Sequence, residues 1–519
     1  LGNFVKVRKF KAIAKNCTMH PAGRNRIMKL HKCFICERRF AYVKQMPASG
    51  TVPKKRRIGR RIRRCILLAL LVYLCAAVLP YAHPAAVVDL PENWRDAASS
   101  EMNVDSAAIL ETGSEALDVR LRLISGAQTI IRAGTYLYDM DDSGTQITAA
   151  LLNAADRGVQ VRLIVDGMFG LIHLRADPAA YALGSHPNVE IRFYNPIDLM
   201  HPAGLNARYH EKFFVIDDAW LILGGRNVSD EFLSQEGNPH YNYDRDVLIH
   251  RERAGRSACD LAADYFDEMW ASELCRTRYE SAPNTQKEAA ARAAEELRAA
   301  WHKIAGERDL AQIDAAAFAP VEKSILLSGQ IDARPKAPLV YAKMIDLMME
   351  AQDRVVLQSP YFVMDSAMRD ALNGVCSQPV QVTLLTNSAA SGNNIITSAD
   401  GVFHRGMTNR MNAIVLEQQT DYSMHTKSVL IDDDLSIFGS FNVDPRSAYI
   451  DTELMLAVYS KPLAAQLEEN MSALAEQSSP VSAQAQAVFP EIPQKSMSAE
   501  KGAIIYLLSP FISLFRYLA

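Results

Sequence analysis

One eighteen-residue pattern occurs twice in this chain, and that duplication constrains the fold more than any other feature. Residues 210–227 read HEKFFVIDDAWLILGGRN and residues 425–442 read HTKSVLIDDDLSIFGSFN. Both obey His-x-Lys-x4-Asp-x6-Gly-x2-Asn. At average residue frequencies these five fixed positions recur by chance on the order of once in ten thousand chains of this length. Two copies mean two like halves. The flanks repeat as well. Residues 129–138 (TIIRAGTYLY) and 354–363 (RVVLQSPYFV) are strand-like, and each is followed by a candidate helix cap, Asp142 or Ser143 in one copy and Asp365 in the other. A helix-period stretch comes next, Ile147, Leu151 and Ala154 ended by Gly158, then Met368, Ala371 and Leu372 ended by Gly374. β-rich runs follow at Val159–Val165 and Val380–Leu385. After each motif an acidic residue opens another strand-like run, Asp246 before Val247–Ile249 and Glu453 before Leu454–Val458, and helical segments around Cys259–Met269 and Leu463–Leu474 close the halves. Residues 286–304 between them read as a solvated connecting helix. Strands alternating with helices make the chain α/β.

In an extended strand, His and Lys two residues apart project from one face. The Gly and Asn one turn and strand later allow close backbone approach and add an amide donor. Two copies face to face gather two imidazoles, two ammonium groups and two amides around one small volume suited to a phosphodiester. Lys212, Lys427, Asn227 and Asn442, with Ser440, then neutralise and hydrogen-bond the non-bridging oxygens. One histidine attacks phosphorus and the other protonates the leaving alcohol. The copies differ at Gly225 and Ser440, so a hydroxyl donor is missing on one side. Arg226 and Arg446 read either as further phosphate contacts or as surface ion pairs.

Residues from about 110 to 480, through the doubled His-x-Lys-x4-Asp signature, resemble the phospholipase D superfamily. The stretch GSFNVDPRSAYIDTEL, residues 439–454, is most similar to its bacterial cardiolipin synthase-type members. The resemblance implies two phospholipase D-like α/β/α halves with mixed sheets, pseudo-two-fold symmetry and an active site at the seam. It implies ping-pong transfer through a phosphohistidine, without metal or cofactor. By position His210 and His425 match the catalytic pair, Lys212, Lys427, Asn227 and Asn442 the phosphate binders, and Asp246 and Glu453 the carboxylates that orient the imidazoles. Asp217 and Asp432 complete the motif and in the family serve structure more than chemistry. The resemblance makes His210 the nucleophile, partnered by Asp246. His425, partnered by Glu453, begins protonated and acts as acid.

Length and charge supply the setting. At 519 residues, 49% hydrophobic and 22% charged, the chain suits two or three globular domains. The net charge of -3 hides an asymmetry: residues 1–64 hold 20 Lys and Arg against one acidic residue, and residues 65–519 hold 36 against 58. An acidic body opposes nucleic-acid binding. The eight cysteines show no disulfide framework, although Cys17-x2-His20 and Cys33-x2-Cys36 have a spacing that holds zinc elsewhere. Residues 1–45 read as a possible non-native extension, within a basic tail over 1–64. Residues 65–82 carry no charge and follow eight cations, which fits an uncleaved membrane anchor, with a signal peptide as the rival. The positive-inside rule then puts the remainder on the non-cytoplasmic side of the cell membrane. The halves are expected at 108–280 and 316–480, joined by 281–315. The apolar segment 481–519 ends in GAIIYLLSPFISLFRYLA, read as an interfacial membrane contact or a docked terminal helix. The expected activity is phosphatidyl transfer between phospholipids, plausibly cardiolipin synthesis from phosphatidylglycerol. Hydrolysis of the same lipids, a nuclease and a non-catalytic membrane scaffold remain as alternatives.

Overall fold

The computed structural model describes residues 54–82, 88–234, 238–277 and 283–518. The Cys17/His20 and Cys33/Cys36 spacing and the 1–45 extension lie outside the described residues. The chain separates into a unit ending at Leu68 and a large unit, Ala69–Ala519. A helix, Lys54–Val78, begins in the first. Within it and the turn that follows, Arg61–Tyr81 is long and apolar enough to cross a membrane, and hardly any of it is buried.

The large unit holds two sheets built to one plan. In the first, the strands run in spatial order Asp105–Leu110, Asp246–Arg251, Trp220–Gly224, Phe213–Ile216, Ile130–Thr135, Gln160–Asp166, Val189–Tyr194 and Cys275–Thr277, with the short strand Ala319–Pro320 added beside the first. In the second the order is Lys323–Ser328, Leu454–Tyr459, Leu435–Gly439, Ser428–Ile431, Arg354–Gln358, Gln381–Asn387, Ile414–Gln418 and Ser478–Pro480. The middle three helix-connected strands of each sheet are parallel and the remaining pairs antiparallel. The duplicated sequence is therefore a duplicated mixed α/β topology.

Strand period two sorts the side chains into layers. Phe214 and Ile216 join a core under the helices Gly113–Gly126 and Asp142–Asp156, whereas Phe213 and Val215 face the other way. There they meet the helices Ala258–Ala271 and Lys461–Ala475 in a central layer shared with Leu430, Phe438 and Leu456 of the second sheet. Beyond that sheet, Val429 and Ile437 pack under Leu339–Met348 and Ser366–Cys376. The central apolar layer fuses the halves.

Three local expectations are corrected. The first cap is Asp141, whose side chain accepts from Gly144 N at 3.1 Å, while the Ser143 hydroxyl donates to Asp230. The second cap is Asp365, as expected, but its helix continues through Gly374 to Cys376. The connecting helix, Lys287–Glu307, is not merely solvated: Ala290, Ala293, Leu297 and Trp301 form a buried stripe in the first half's core. The terminal helix Ala499–Ile512 is docked. Its Ser509 hydroxyl donates to Ala399 O at 2.9 Å, and the following Arg516 pairs with Asp400 at 3.1 Å, yet its outer face stays apolar and exposed.

Candidate active site

The motif strands begin at the seam and run away from it. His210 N donates to Thr452 O at 3.2 Å, and His425 N donates to Tyr243 O at 2.6 Å, so each motif enters its strand by bonding to a loop of the opposite half. A short parallel ladder, Asn242–Tyr243 with Ser423–Met424, ties the same loops together. Both imidazoles are thereby drawn to one place.

Their carboxylate partners also come from across the seam. Glu453 Oε1 lies 2.9 Å from His210 Nδ1, and Asp244 Oδ2 lies 2.6 Å from His425 Nδ1. This corrects the expected partners of both histidines. Asp246 touches neither imidazole. It is fully buried at 2.9 Å from Arg120 Nη2 and 3.3 Å from Arg226 Nη1. Sheet register explains the shift: Gly224 pairs with Asp246, but its counterpart Gly439 pairs with Met455. Two residues upstream of those positions stand Asp244 and Glu453, which are the structural equivalents.

The same geometry accounts for Gly225 and corrects Ser440. A Cβ at Gly225 would lie 2.4 Å from both Asp244 carboxylate oxygens, so glycine is what admits that side chain. Ser440 is buried and does not present its hydroxyl to a substrate: it donates to Glu453 Oε2 and accepts from Leu454 N at 3.1 Å. The Ser447 hydroxyl donates to Glu453 Oε1 at 2.6 Å while accepting from Asn442 N at 3.2 Å. Both serines have their lone pairs turned to backbone N–H groups, so both point protons at Glu453. That is a cradle for a carboxylate.

Lys212 and Lys427 are buried beside the imidazoles, their ammonium groups donating to the carbonyls of His210 and His425. The Lys212 ammonium also sits 5.0 Å over the Tyr136 ring. Lys427 Nζ lies 2.8 Å from His425 Nδ1. Asp244 can only accept, so that nitrogen carries the proton and lysine contributes charge. Edge-on rings pack each imidazole, Tyr136 on His210 at 4.9 Å and Phe232 on His425 at 5.0 Å. Asn227 and Asn442 are nearly buried, and Asn227 Oδ1 accepts from Leu137 N at 3.2 Å.

Burial and proximity of like charge set the protonation. Burial, then Lys427, lowers His425 to about 4, and burial with Lys212 holds His210 well below its ordinary value. Burial and the two ammonium groups thus favour neutral imidazoles in the substrate-free site. Burial lowers Lys212 to about 7 and Lys427 to about 8. Asp244 stays below the usual carboxylate range: burial opposes this, but Lys427 and His425 prevail. Burial pushes Glu453 up to about 8 against Lys212 and the two serine hydroxyls. Since both its oxygens accept hydroxyl protons, the anion is the form its surroundings are built for.

Asp217 and Asp432 lie outside this cluster, at the far ends of the motif strands. Each sits in a tight turn at positive φ (52° and 51°). Asp217 accepts from the backbone N–H groups of Gln128, Thr129 and Ile130 at 2.7–3.0 Å, and Asp432 accepts from those of Gln352, Asp353 and Arg354 at 2.8–3.2 Å. They clamp the neighbouring strand. Arg226 is a buried arginine bonded to Asp246 and to the Leu110 and Glu111 carbonyls, neither a phosphate contact nor a surface pair. Arg446 pairs with Asp451 at 3.1 Å. Sequence reasoning missed Asp244, Ser447, Tyr136 and Phe232. Only Asp244 left a trace, as a second acid two residues before Asp246.

Comparison with known proteins supplies the family. A family model described as "Cardiolipin synthase, PLD-like domain" matches residues 121–270 and 344–475, more than half of the chain and inclusive of both dyads. The chain belongs to this family. Cardiolipin synthase C of Escherichia coli strain K12 is 29% identical over 402 residues, covering 68% of this chain and 81% of that protein. An uncharacterized Helicobacter pylori protein is 30% identical over 390 residues, 68% of this chain and 75% of its own. Among solved structures, the phosphatidylserine synthase of Haemophilus influenzae Rd KW20 superposes with a TM-score of 0.59 at 15% identity, over 82% of this chain and 98% of that one. That likeness is one of fold and covers 82% of this chain.

Proposed function

We propose that the chain is a membrane-anchored phosphatidyltransferase that forms cardiolipin from phosphatidylglycerol through a phosphohistidine. The crossed dyads carry this reading: two neutral imidazoles, each fixed by a carboxylate of the other half, flanked by two buried ammonium groups. A carboxylate on Nδ1 leaves Nε2 of each ring free to face a phosphodiester. His210 Nε2 attacks phosphorus, and the P–O bond to the leaving glycerol breaks as that oxygen takes the proton from His425 Nε2. The second lipid's hydroxyl then returns a proton to His425 and attacks, breaking the P–N bond. His425 gains its starting proton when the phosphodiester anion offsets the charge of Lys427 and Lys212. The lysines and the Asn227 and Asn442 amides hold the phosphoryl oxygens as charge moves onto them. The phospholipid substrates of the named relatives and the apolar helix Arg61–Tyr81 support lipid as substrate and a membrane as location. The basic cluster ahead of that helix supports a non-cytoplasmic catalytic region, which protease accessibility in intact spheroplasts tests.

The product spectrum of purified protein tests the reaction. Phosphatidylglycerol alone should yield diphosphatidylglycerol and free glycerol in equal amounts. Phosphatidic acid as the main product in membrane-like conditions would make the chain a hydrolase.

A further inference from the structure

A cavity of about 360 Å³ opens on His425 and is not lined by His210. It runs beneath the helix Ile395–Thr408, between that helix and the strand Gln381–Asn387, with Phe232 at the histidine end. In the scheme above, which this inference rests on and deepens, the leaving and the incoming alcohol both exchange a proton with His425 and stand opposite His210. The space beside His425 is therefore where an alcohol belongs.

The lining has the chemistry of a neutral polyol site. Its one carboxylate, Glu417, is held by Arg405 at 2.6 Å, so no free charge awaits an ammonium headgroup. Ser398 supplies a hydroxyl and Asn394 its amide nitrogen along the wall, the Asn394 oxygen being used to cap the helix. The volume holds a glycerol headgroup and excludes the acyl chains of its lipid. Outside, the same helix exposes Ile396 and Phe403 (57%), and the terminal helix packed on it exposes Leu507 (69%) and Phe511 (62%). That apolar surface continues from the cavity's own roof.

We propose that this cavity is the acceptor-alcohol subsite, taking the neutral polyol headgroup of a phospholipid whose acyl chains remain in the bilayer against these two helices. Gly401 supplies a clean test, because it lines the cavity and a Cβ added there meets nothing within 4 Å. Gly401→Leu also replaces a poor helix former by a good one, so a melting curve no lower than the parent's establishes folding. Phosphatidyl transfer is measured in the full chain from one donor to methanol, to glycerol and to phosphatidylglycerol in vesicles. The plug should cut the glycerol-to-methanol transfer ratio roughly ten-fold. Phe403→Ser with Leu507→Ser should lower the ratio of vesicle phosphatidylglycerol to soluble glycerol. An unchanged glycerol-to-methanol ratio in Gly401→Leu, including equal or complete loss with both alcohols, overturns the subsite. A parent protein that transfers to no alcohol at all overturns the transferase reading instead.

Discussion

Replacing Asp244 by Asn removes the carboxylate that fixes His425 with its proton on Nδ1 and leaves Cα geometry and volume almost untouched. The expected result is a fall in kcat of roughly 10²–10⁴, the range found when a carboxylate that orients a catalytic histidine is neutralised, in a protein that still melts cooperatively. Asp246→Asn should do the reverse. It uncovers the buried Arg120 and Arg226 guanidinium groups, so stability should drop by about 3 kcal/mol while kcat of the folded fraction changes little. Denaturant titration beside kinetics separates the two. Both acids were visible in the sequence, but which one reaches a histidine was not. In Asp244-Arg245-Asp246 the two carboxylates share a strand face, and only the pairing of Gly224 with Asp246 and of Gly439 with Met455 decides the register. The lysines give a pH signature at the same scale. Their ammonium forms exist below about 7 for Lys212 and about 8 for Lys427, so kcat/KM, which reports the free enzyme, should decline above that window. Lys212→Arg, which stays charged, should shift the decline upward. An alkaline limb that does not move would remove Lys212 from phosphate binding.

The elements that carry the motif were legible because strand period two and helix period 3.6 are local. His-x-Lys on one face, the β-rich runs after each helix, and the Asp365 cap follow from neighbours in sequence alone. What the connecting helix packs against was not legible: an Ala- and Glu-rich stretch reads as solvated until the first half's helices meet its Ala290, Ala293, Leu297 and Trp301 stripe. Nor could the far-end aspartates be given their partners, since the segments they clamp lie about eighty residues away. Asp432→Ala should remove the acceptor for three backbone N–H groups and disfavour the positive φ of the turn, costing about 2–3 kcal/mol. Urea unfolding checks the loss. The turnover of protein that remains folded should stay near the parent value, because the motif's aspartate holds a hairpin to its neighbour and not an imidazole.

At the scale of the whole molecule, the pseudo-two-fold arrangement exchanges carboxylates between halves: the second half orients His210 and the first half orients His425. A duplication that left each half self-sufficient would put the orienting acid on the same sheet as its histidine. Here neither half completes a dyad, so the reaction depends on the central layer that fuses the sheets. The exchange also dictates how defects sort. If His210 is the nucleophile, Glu453→Gln should behave like His210→Ala, because loss of the carboxylate on Nδ1 lets the ring turn Nε2 into a proton carrier and stops attack on phosphorus. Asp244→Asn should behave like His425→Ala. The nucleophile remains intact but the departing and entering alcohols lose their proton partner, so a phosphatidyl-enzyme forms slowly and then persists, most visibly with a donor whose leaving group needs no protonation. Acid-sensitive, base-stable phosphohistidine peptides read by mass spectrometry distinguish the classes. The expected adduct is on His210 in the His425→Ala and Asp244→Asn proteins, with none in His210→Ala or Glu453→Gln. An adduct on His425 in the Glu453→Gln protein would reverse the two roles while leaving the crossed dyads in place.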